Sequence, residues 1–374
     1  MRISRLLAAC ARDYDVTFVG PKPHDCKDPV LPPSVSKAVL FETSGIIPAD
    51  PALFWKALRT GIGLPMGSSF VKRLRFLHAL NDLDLNSFDV IWAERTEVGM
   101  FFSGQRERTV VDYDDITHRK LHRLLSIQKT SIRRLHTRYQ VEIYRHAELK
   151  RFSGYNHIVV CSDEDRSYLE RNGVGPVWVV PNGVSLNVTE RAGTTRKPGK
   201  PLRAVFLGNM AHAPNMDALR YCAEEILPSS KSVVESMDVI GANVPPEVAL
   251  KYQGIVNFRG FVDDIGEALR QYDVMLAPLR YGSGTKLKLL DAMAANLPIV
   301  TTDVGAEGLL LADGVSALIA NSRTETLAAL EQLANDPELG IEIAARARKL
   351  IDEHFLWSAV ERDVANRLQS IEDK

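Results

Sequence analysis

The residue types best suited to chemistry are concentrated in one segment of the chain, residues 278–309. A short apolar run leads into a loop that contains Gly282 and Gly284, and a helical pattern follows. The backbone N–H groups at a helix start and the helix dipole behind them favour a phosphate, and glycine lets the backbone approach it closely. Lys288 and Asp291 are three residues apart and therefore share a helical face.

This pair suits a nucleotide sugar, because the ammonium can meet the diphosphate and the carboxylate can accept hydrogen bonds from the ribose hydroxyls. An ordinary β-turn-α junction with solvated charges explains the same spacing, since glycine-bearing junctions occur in most α/β proteins. The residues predicted to act in catalysis are Lys288, Asp291 and Arg280. Those predicted to contact the bound nucleotide sugar are Gly208, Asn209, Gly282, Ser283, Gly284, Thr285, Lys286 and Glu307.

Two shorter features belong to the same predicted site. Gly208 and Asn209 close an apolar strand, and Asn215 can cap the helix that follows. Glu307 stands beside Gly305 in another strand-to-loop passage, where it can hydrogen-bond a sugar. A tight turn with a cap, and a solvated loop acid, explain these residues as well.

The elements that must position these residues are short β-branched runs that alternate with helical patterns, which is typical of parallel α/β units. In the first half the candidate strands are 16–19, 38–41, 89–93, 109–112, 157–161 and 177–180. In the second half they are 204–207, 236–240, 256–258, 274–277 and 298–301. The pattern predicts two consecutive Rossmann-like domains, with the ligand in the cleft between them.

The amino-terminal domain lacks its usual opening. A Rossmann domain normally begins with a central strand and a glycine-rich turn. Here Ile3, Leu6 and Cys10 already have helical spacing, and the first strand begins only at Val16. A missing central strand leaves two unpaired edges inside the sheet. Either the true start lies upstream or another segment fills the gap.

Residues 118–151 are predicted to form one long amphipathic helix, with apolar residues at three- to four-residue intervals. Its other face carries ten Lys/Arg against Glu142 and Glu148 alone. A solvated surface is one interpretation. The other is a patch that rests on anionic lipid or attracts a phosphorylated acceptor.

Composition limits the remaining possibilities. The chain of 374 residues is 45% hydrophobic and long enough for two domains, and its net charge of -1 gives no support for a nucleic-acid partner. Four scattered cysteines are typical of core thiols in a reducing compartment. No apolar run reaches the roughly 18 residues needed to cross a bilayer, and no clean signal peptide is present. We therefore expect a cytoplasmic protein, able to associate peripherally with the inner face of the membrane.

As a combined pattern, the motifs resemble glycosyltransferase family 4, the retaining enzymes of the GT-B fold, and in particular a subgroup linked to exopolysaccharide synthesis. VVCSDEDRSYL (159–169) and VPNGV (180–184) are similar to the end of the family's first domain. VFLGNMAHAPNMDAL (205–219) is similar to the opening of the second, and residues 257–309 to the donor-binding core.

The resemblance implies a nucleoside-diphosphate sugar held by the second domain and a glycan or lipid-linked acceptor held by the first. It also implies retention of anomeric configuration, no cofactor and no catalytic metal, with the donor's own phosphate helping to deprotonate the acceptor. By position, Lys288 matches the phosphate-binding lysine and Asp291 the second glutamate of the E-x7-E motif, which contacts ribose. Ser283 stands where that motif has its first glutamate, and Asn209 where an arginine is frequent.

Diphosphate stabilisation then depends on Lys288 together with Lys286 or Arg280. The first-domain histidine typical of many members is missing near residues 111–115, and His118 lies just beyond.

The predicted organisation is an acceptor-side domain at 1–185, a linker at 186–201, a nucleotide-sugar domain at 202–350 and a carboxyl-terminal helix at 351–374 that packs back on the first domain. Three functions fit the sequence. The first is an active glycosyltransferase of cell-surface polysaccharide synthesis. The second is a catalytically degenerate protein that binds a nucleotide sugar or a partner enzyme. The third is a GT-B enzyme of another reaction type, such as an epimerase, which the loop at 282–294 fits less well.

Overall fold

A computed structural model describes residues 2–22, 35–42, 68–128, 132–185 and 196–372. The chain divides into two compact units. The first unit comprises residues 1–122, 130–180 and 358–374, and the second comprises residues 123–129 and 181–357.

The first unit is a parallel α/β structure. Its strands are β1 (Val16–Pro21), β2 (Val35–Phe41), β3 (Ile91–Glu94), β4 (Thr109–Asp112), β5 (His157–Val160) and β6 (Val177–Val179). Its helices, up to β6, are α1 (Arg2–Cys10), α2 (Ser68–Asn81), α3 (Thr96–Gly99), α4 (Thr117–Ile127), α5 (Ile132–His146) and α6 (Asp163–Arg171). Helix α4 belongs to the first unit up to His122 and to the second from Arg123. The strands form one sheet in the order β3-β4-β5-β6 and a separate parallel pair, β1-β2.

The described strands of the first unit form two separate groups. Among the described residues, no strand pairs with the outer side of β3, and none precedes β1. Residues 2–10 are helical, as their spacing indicates. Helix α2 packs on β1 and β2, and its Phe76 also contacts Phe101 from the β3 side with ring centroids 5.3 Å apart. One hydrophobic cluster therefore lies under both sheets of this unit.

The prediction of one long helix over residues 118–151 is wrong. Helix α4 ends at Ile127, Gln128 is not helical, and α5 begins at Ile132. Residues 147–151 then form a single π-helical turn. Leu135 and Tyr139, which belong to the apolar spacing of this segment, are exposed, whereas Thr137 and Val141 are buried. The apolar spacing continues across the break, but the buried face of α5 contains neither Leu135 nor Tyr139.

The second unit is a six-stranded parallel sheet with helices on its faces. Its strands are β7 (Leu202–Leu207), β8 (Val234–Ile240), β9 (Asn257–Gly260), β10 (Val274–Ala277), β11 (Ile299–Thr301) and β12 (Leu318–Ile319). Its helices are α7 (Ala213–Tyr221), α8 (Pro246–Lys251), α9 (Ile265–Leu269), α10 (Leu287–Ala294), α11 (Asp303–Ala306), α12 (Arg323–Asn335) and α13 (Pro337–His354). Their apolar side chains form one large core.

The strand order β12-β11-β10-β7-β8-β9 places the switch point of this sheet between β7 and β10. The chain moves from β7 to one side through β8 and β9, then returns to the other side at β10. In open α/β sheets, ligands bind outside the carboxyl ends of the strands at such a point. Gly208 follows β7 and the loop with Gly282 follows β10, so the predicted site residues meet at this position.

The last helix, α14 (Trp357–Glu372), clusters with the first unit from Ser358 onward. Its Glu361 accepts a hydrogen bond from Arg12 at 2.6 Å and lies 3.5 Å from the guanidinium of Arg5. Residues 186–195 of the predicted linker lie outside the described residues. Within the described ranges, no helix is long and apolar enough to cross a membrane.

Candidate functional site

The loop between β10 and α10 turns through two glycines with positive φ, Gly282 at 143° and Gly284 at 66°. Helix α10 then begins at Leu287, and no side chain caps it. Because the first N–H groups of a helix have no partner within the helix, an uncapped start can accept an external anion. The backbone half of the predicted phosphate site is therefore present.

Lys288 supplies a cation at this helix start. Its ammonium donates a hydrogen bond to the side-chain oxygen of Asn215 and lies 4.4 Å from the ring centroid of Phe206. No carboxylate pairs with Lys288 among the residues that the structure describes. Burial, and the like charge of Lys286 beside it, lower the pKa of Lys288 to about 7. A cation held by neutral partners alone is stabilised by any anion that enters.

The loop itself carries two hydroxyl groups and a second ammonium group. Ser283 Oγ and Thr285 Oγ1 are buried and have no hydrogen-bond partner in the described part of the chain. The Lys286 ammonium donates to the carbonyl oxygen of Gly284 at 2.6 Å. Buried polar groups normally have partners, and groups that lack them are candidates for binding a ligand. The loop thus offers two donors to a ligand oxygen.

Asp291 lies one turn beyond Lys288 on α10, and burial raises the pKa of its carboxyl group to about 6. None of the described residues forms a hydrogen bond or ion pair with this carboxyl group. At neutral pH it is a largely ionised acceptor without a donor. This is the electrostatic state expected of a group that receives hydroxyl hydrogen bonds from a sugar ring.

The turn after β7 lies against Lys288. A Cβ atom built on Gly208 would lie 3.1 Å from the Lys288 ammonium and 2.5 Å from the side-chain nitrogen of Asn215. Asn215 donates to the carbonyl of Asn209 at 2.8 Å, and the Asn209 side chain accepts from Asn243 at 3.1 Å. Asn215 therefore joins the β7 turn to Lys288, and only glycine fits at position 208 without a shift.

Asn243 was not predicted. It follows β8 on the carboxyl edge of the sheet with φ of 63°, next to Gly241. The signal that indicates it is the Gly-x-Asn sequence at a strand end, where asparagine tolerates positive φ.

Two predicted residues have charged partners, and one of these pairs contacts the glycine loop, because Arg123, the partner of Glu307, also donates to the carbonyl oxygen of Gly282 at 2.8 Å. Arg280 forms a two-pronged ion pair with Asp217, at 2.9 and 2.6 Å, and its guanidinium stacks over Tyr221. Glu307 is held by two hydrogen bonds from Arg123, at 2.6 and 2.8 Å. Lys286 and Lys288 are thus together at the loop, whereas Arg280 and Glu307 have charged partners of their own.

A second polar group lies in the first unit, where the carboxyl ends of β3 and β4 are paired at Glu94 and Asp112. Asp112 is buried and held by Arg2, with nitrogen-to-oxygen distances of 2.9 to 3.2 Å. The Oε2 atom of Glu94 is buried without a partner in the described ranges. Burial, with Asp112 and Asp114 nearby, raises the pKa of Glu94 to about 8. Sequence patterns did not identify Glu94, although its place at a strand end was the available signal.

No three His, Cys, Asp or Glu side chains of the described residues are grouped so that they could hold a metal ion. The protein groups of the second-unit site are cations, hydroxyls, amides and one carboxylate. Cations and hydroxyls at a switch point can bind a diphosphate, and the carboxylate can bind sugar hydroxyls.

The two parallel α/β units have the GT-B fold. A sucrose-phosphate synthase from Thermosynechococcus elongatus is similar over 99% of this chain and 92% of its own, with a TM-score of 0.69 and 15% identity. WaaG, a glycosyltransferase involved in lipopolysaccharide biosynthesis, is similar over 98% and 94%, with a TM-score of 0.67 and 15% identity. The Anabaena protein HepE, in complex with UDP and glucose, is similar over 98% and 95%, with a TM-score of 0.61 and 15% identity.

Residues 201–336 match the family of Glycosyl transferases group 1. The chain is 28% identical over 207 residues to a phosphatidyl-myo-inositol mannosyltransferase of Mycobacterium leprae, covering 51% of this chain and 53% of that one. It is 27% identical over 229 residues to the lipopolysaccharide core biosynthesis mannosyltransferase LpcC of Rhizobium leguminosarum, covering 56% and 62%. The matched segment thus spans 53 to 62% of the curated relatives.

Residues 201–336 of the second unit are thus similar to the Glycosyl transferases group 1 family, and the predicted GT-B fold is confirmed. The exopolysaccharide subgroup and the individual site residues stay predictions.

Proposed function

We propose that this protein is a retaining glycosyltransferase that moves a sugar from a nucleoside-diphosphate sugar to a glycan or lipid-linked acceptor in cell-envelope polysaccharide synthesis. The observation that carries the proposal is Lys288, a buried cation that has neutral partners and a second lysine beside it. Such a charge is unfavourable in the empty protein and favourable beside a diphosphate. The relatives support the proposal, since one is named a phosphatidyl-myo-inositol mannosyltransferase and the other a mannosyltransferase of lipopolysaccharide core biosynthesis.

In the proposed reaction, the bond between the anomeric carbon and the phosphate oxygen breaks. The acceptor oxygen bonds to the same face of that carbon, and the acceptor proton passes to the departing phosphate oxygen. Lys288 and Lys286 then stabilise the negative charge that grows on the leaving diphosphate, and the α10 start adds its N–H groups. Asp291 positions the ribose. The resemblance to glycosyltransferase family 4 implies that the reaction needs no metal ion.

The first test is a thermal-stability screen with UDP-, GDP- and ADP-sugars, because a ligand that binds the folded state raises the melting temperature. The donor selected there is titrated by calorimetry into Lys288→Met. We expect affinity to fall about 10- to 100-fold, as for a lost charge-assisted hydrogen bond. Lys251→Met is the control, because Lys251 is exposed in the same unit and pairs with Glu224 at 2.6 Å. Equal affinity of the Lys288 variant and the control contradicts the assignment.

Retention and metal independence have their own test. The configuration of the transferred or slowly hydrolysed sugar is followed by NMR before mutarotation, with and without a chelator. A product with the donor's configuration, formed at an unchanged rate under chelation, supports the proposal. An inverted product or a loss of activity in chelator contradicts it.

The second candidate is a nucleotide-sugar-binding subunit without catalysis, and it is favoured by the separation, among the described residues, of the β1-β2 pair from the sheet that contains β3. Donor binding in this case persists, because the second unit holds its own core and its own site. The test uses extracts that contain the acceptor. Tight donor binding without transfer or hydrolysis in these extracts supports the second candidate, a binding subunit without catalysis.

A lipid-linked acceptor places the reaction at a membrane surface. We propose that the chain works at the inner face of the membrane and that the basic segment between residues 118 and 151 draws it there. The basic side chains of this segment that are not paired with carboxylates supply the attraction, which falls with ionic strength.

A further inference from the structure

The exposed face of α5 has an unusual composition. Thr137 and Val141 are buried on its inner face. On the opposite side, Ile132 is 88%, Leu135 70% and Tyr139 47% exposed. Their spacing of three and four residues places them in one stripe along the helix. Single exposed apolar residues are ordinary on protein surfaces, but a stripe facing solvent on an otherwise charged helix marks a binding surface.

The charges beside this stripe are positive. Arg133 and Arg138 are exposed, lie on either side of it, and form no ion pair with any described residue. Helix α5 carries four arginines and one glutamate, a difference of three positive charges, and Glu142 is paired with Arg145.

Helix α4 differs in this respect. Its Arg119 pairs with Asp165, and its Lys120 with Asp115 at 3.1 Å. Among the described residues, exposed basic side chains without an ion pair therefore distinguish α5 from α4.

We infer that α5 lies in the interface of an anionic lipid bilayer, with Ile132, Leu135 and Tyr139 inserted between the headgroups and Arg133 and Arg138 on lipid phosphates. An apolar stripe flanked by arginines is the arrangement that interfacial helices use, since the apolar groups leave water while the guanidinium groups stay at the charged surface. The charge surplus matches lipid phosphates and repels a basic protein surface. This inference rests on the proposed membrane location and names the helix and the mode of contact.

The experiment is flotation of the full-length chain with vesicles of phosphatidylcholine alone or with about 30% phosphatidylglycerol, at low and high salt. We expect binding to the anionic vesicles alone. Arg133→Ser with Arg138→Ser should weaken it about 25-fold at low salt, which is about fivefold per arginine. Ile132→Ser with Leu135→Ser should weaken it at least tenfold, with the salt dependence of the remaining binding retained.

Matched controls are Leu250→Ser, which removes a 74% exposed leucine from the second unit, and Arg362→Ser, which removes an exposed arginine from α14. Both should bind vesicles like the unchanged protein. Every variant is also titrated with the nucleotide sugar, and unaltered donor affinity shows that the second unit is intact. Loss of vesicle binding with intact donor binding separates this inference from the proposed transfer reaction.

Three results overturn the inference. The first is an absence of vesicle binding or equal binding to neutral and anionic vesicles. The second is full binding by the Ile132/Leu135 variant. The third is a dimer of the unchanged protein, seen by light scattering, that the same variant dissociates, because the stripe is then covered by a second copy of the chain.

Discussion

The state of Lys288 predicts that donor binding takes up a proton. Burial and Lys286 hold the pKa of this ammonium at about 7, against 10.5 for an ordinary lysine. A bound diphosphate replaces these unfavourable surroundings with two negative charges, so the pKa rises toward its ordinary value. At a pH between the two values, the free protein is mostly neutral at Lys288 and the complex is charged. Binding must then remove a proton from the buffer.

The size of this uptake follows from the pKa values. At pH 8, a group with a pKa of about 7 is roughly 0.09 protonated, so binding takes up about 0.9 proton per donor. At pH 6 the same group is already about 0.9 protonated and contributes about 0.1. Asp291, with a pKa of about 6, is half protonated there and releases up to about 0.5 proton when ribose hydroxyls stabilise its ionised form. The net exchange therefore changes from uptake at pH 8 to release at pH 6.

The assay is calorimetric titration of a nucleotide sugar in two buffers of different ionisation enthalpy at each pH. A nucleotide sugar is preferred to a nucleoside diphosphate, because it has no terminal phosphate that titrates in this range. Lys288→Met should abolish the uptake at pH 8 and keep the release at pH 6, whereas Lys251→Met should change neither. Tight binding by the unchanged protein with no uptake at pH 8, or uptake that persists in Lys288→Met, refutes the reasoning.

Three further predictions concern stability and the turn after β7. Asp291→Asn should raise the free energy of unfolding by about 1 to 3 kcal/mol at pH 7. Burial raises the pKa of the Asp291 carboxyl group from its ordinary value of 3.8 to about 6, so the ionised group destabilises the folded state. The gain should shrink as the pH falls from about 6 to 4, where the folded state of the unchanged protein binds more protons than the unfolded state; urea unfolding at pH 7 and pH 4 checks this. Arg2→Leu leaves Asp112 buried and unpaired and should cost about 3 to 5 kcal/mol by urea unfolding, with recovery when Asp112→Asn is added. Gly208→Ala places a methyl group 2.5 Å from the Asn215 side chain and should lower donor affinity at least tenfold by calorimetry, and an affinity equal to that of the unchanged protein contradicts this contact.

Much of the fold can be predicted from the sequence, because a parallel strand that is buried on both faces consists of a short run of β-branched and other apolar residues. All eleven predicted strands overlap a strand of the structure. The twelfth, Leu318–Ile319, is two residues long and carries no such run. The break after Ile127 was missed, since apolar spacing continues across it and no proline or glycine marks the boundary.

The loop after β10 was predictable for a different reason. The glycines and lysines of this loop are close in sequence to each other and to the helix that follows. Sequence patterns predict such short-range geometry well. The partners of Arg280 and Glu307 are not local: Asp217 lies 63 residues from the one, and Arg123 lies 184 from the other. The sequence pattern predicts the charge of these two residues and their place at the edge of the sheet. It does not predict the ion pairs that they form.

We expect the two units to contribute differently to function: the second to donor binding and the first to transfer. The described strands of the second unit form one six-stranded sheet with its own core, and Lys288 lies at the switch point, so we expect donor binding to depend on this unit. In the described part of the first unit, no strand pairs with the outer side of β3, and Glu94, at the end of β3, is a buried carboxyl without a partner. A defect there should reduce transfer and leave donor affinity unchanged. Glu94→Gln is therefore informative: slower transfer with the same donor affinity and the same proton uptake places an acceptor contact at the first sheet. An unchanged transfer rate removes Glu94 from the reaction.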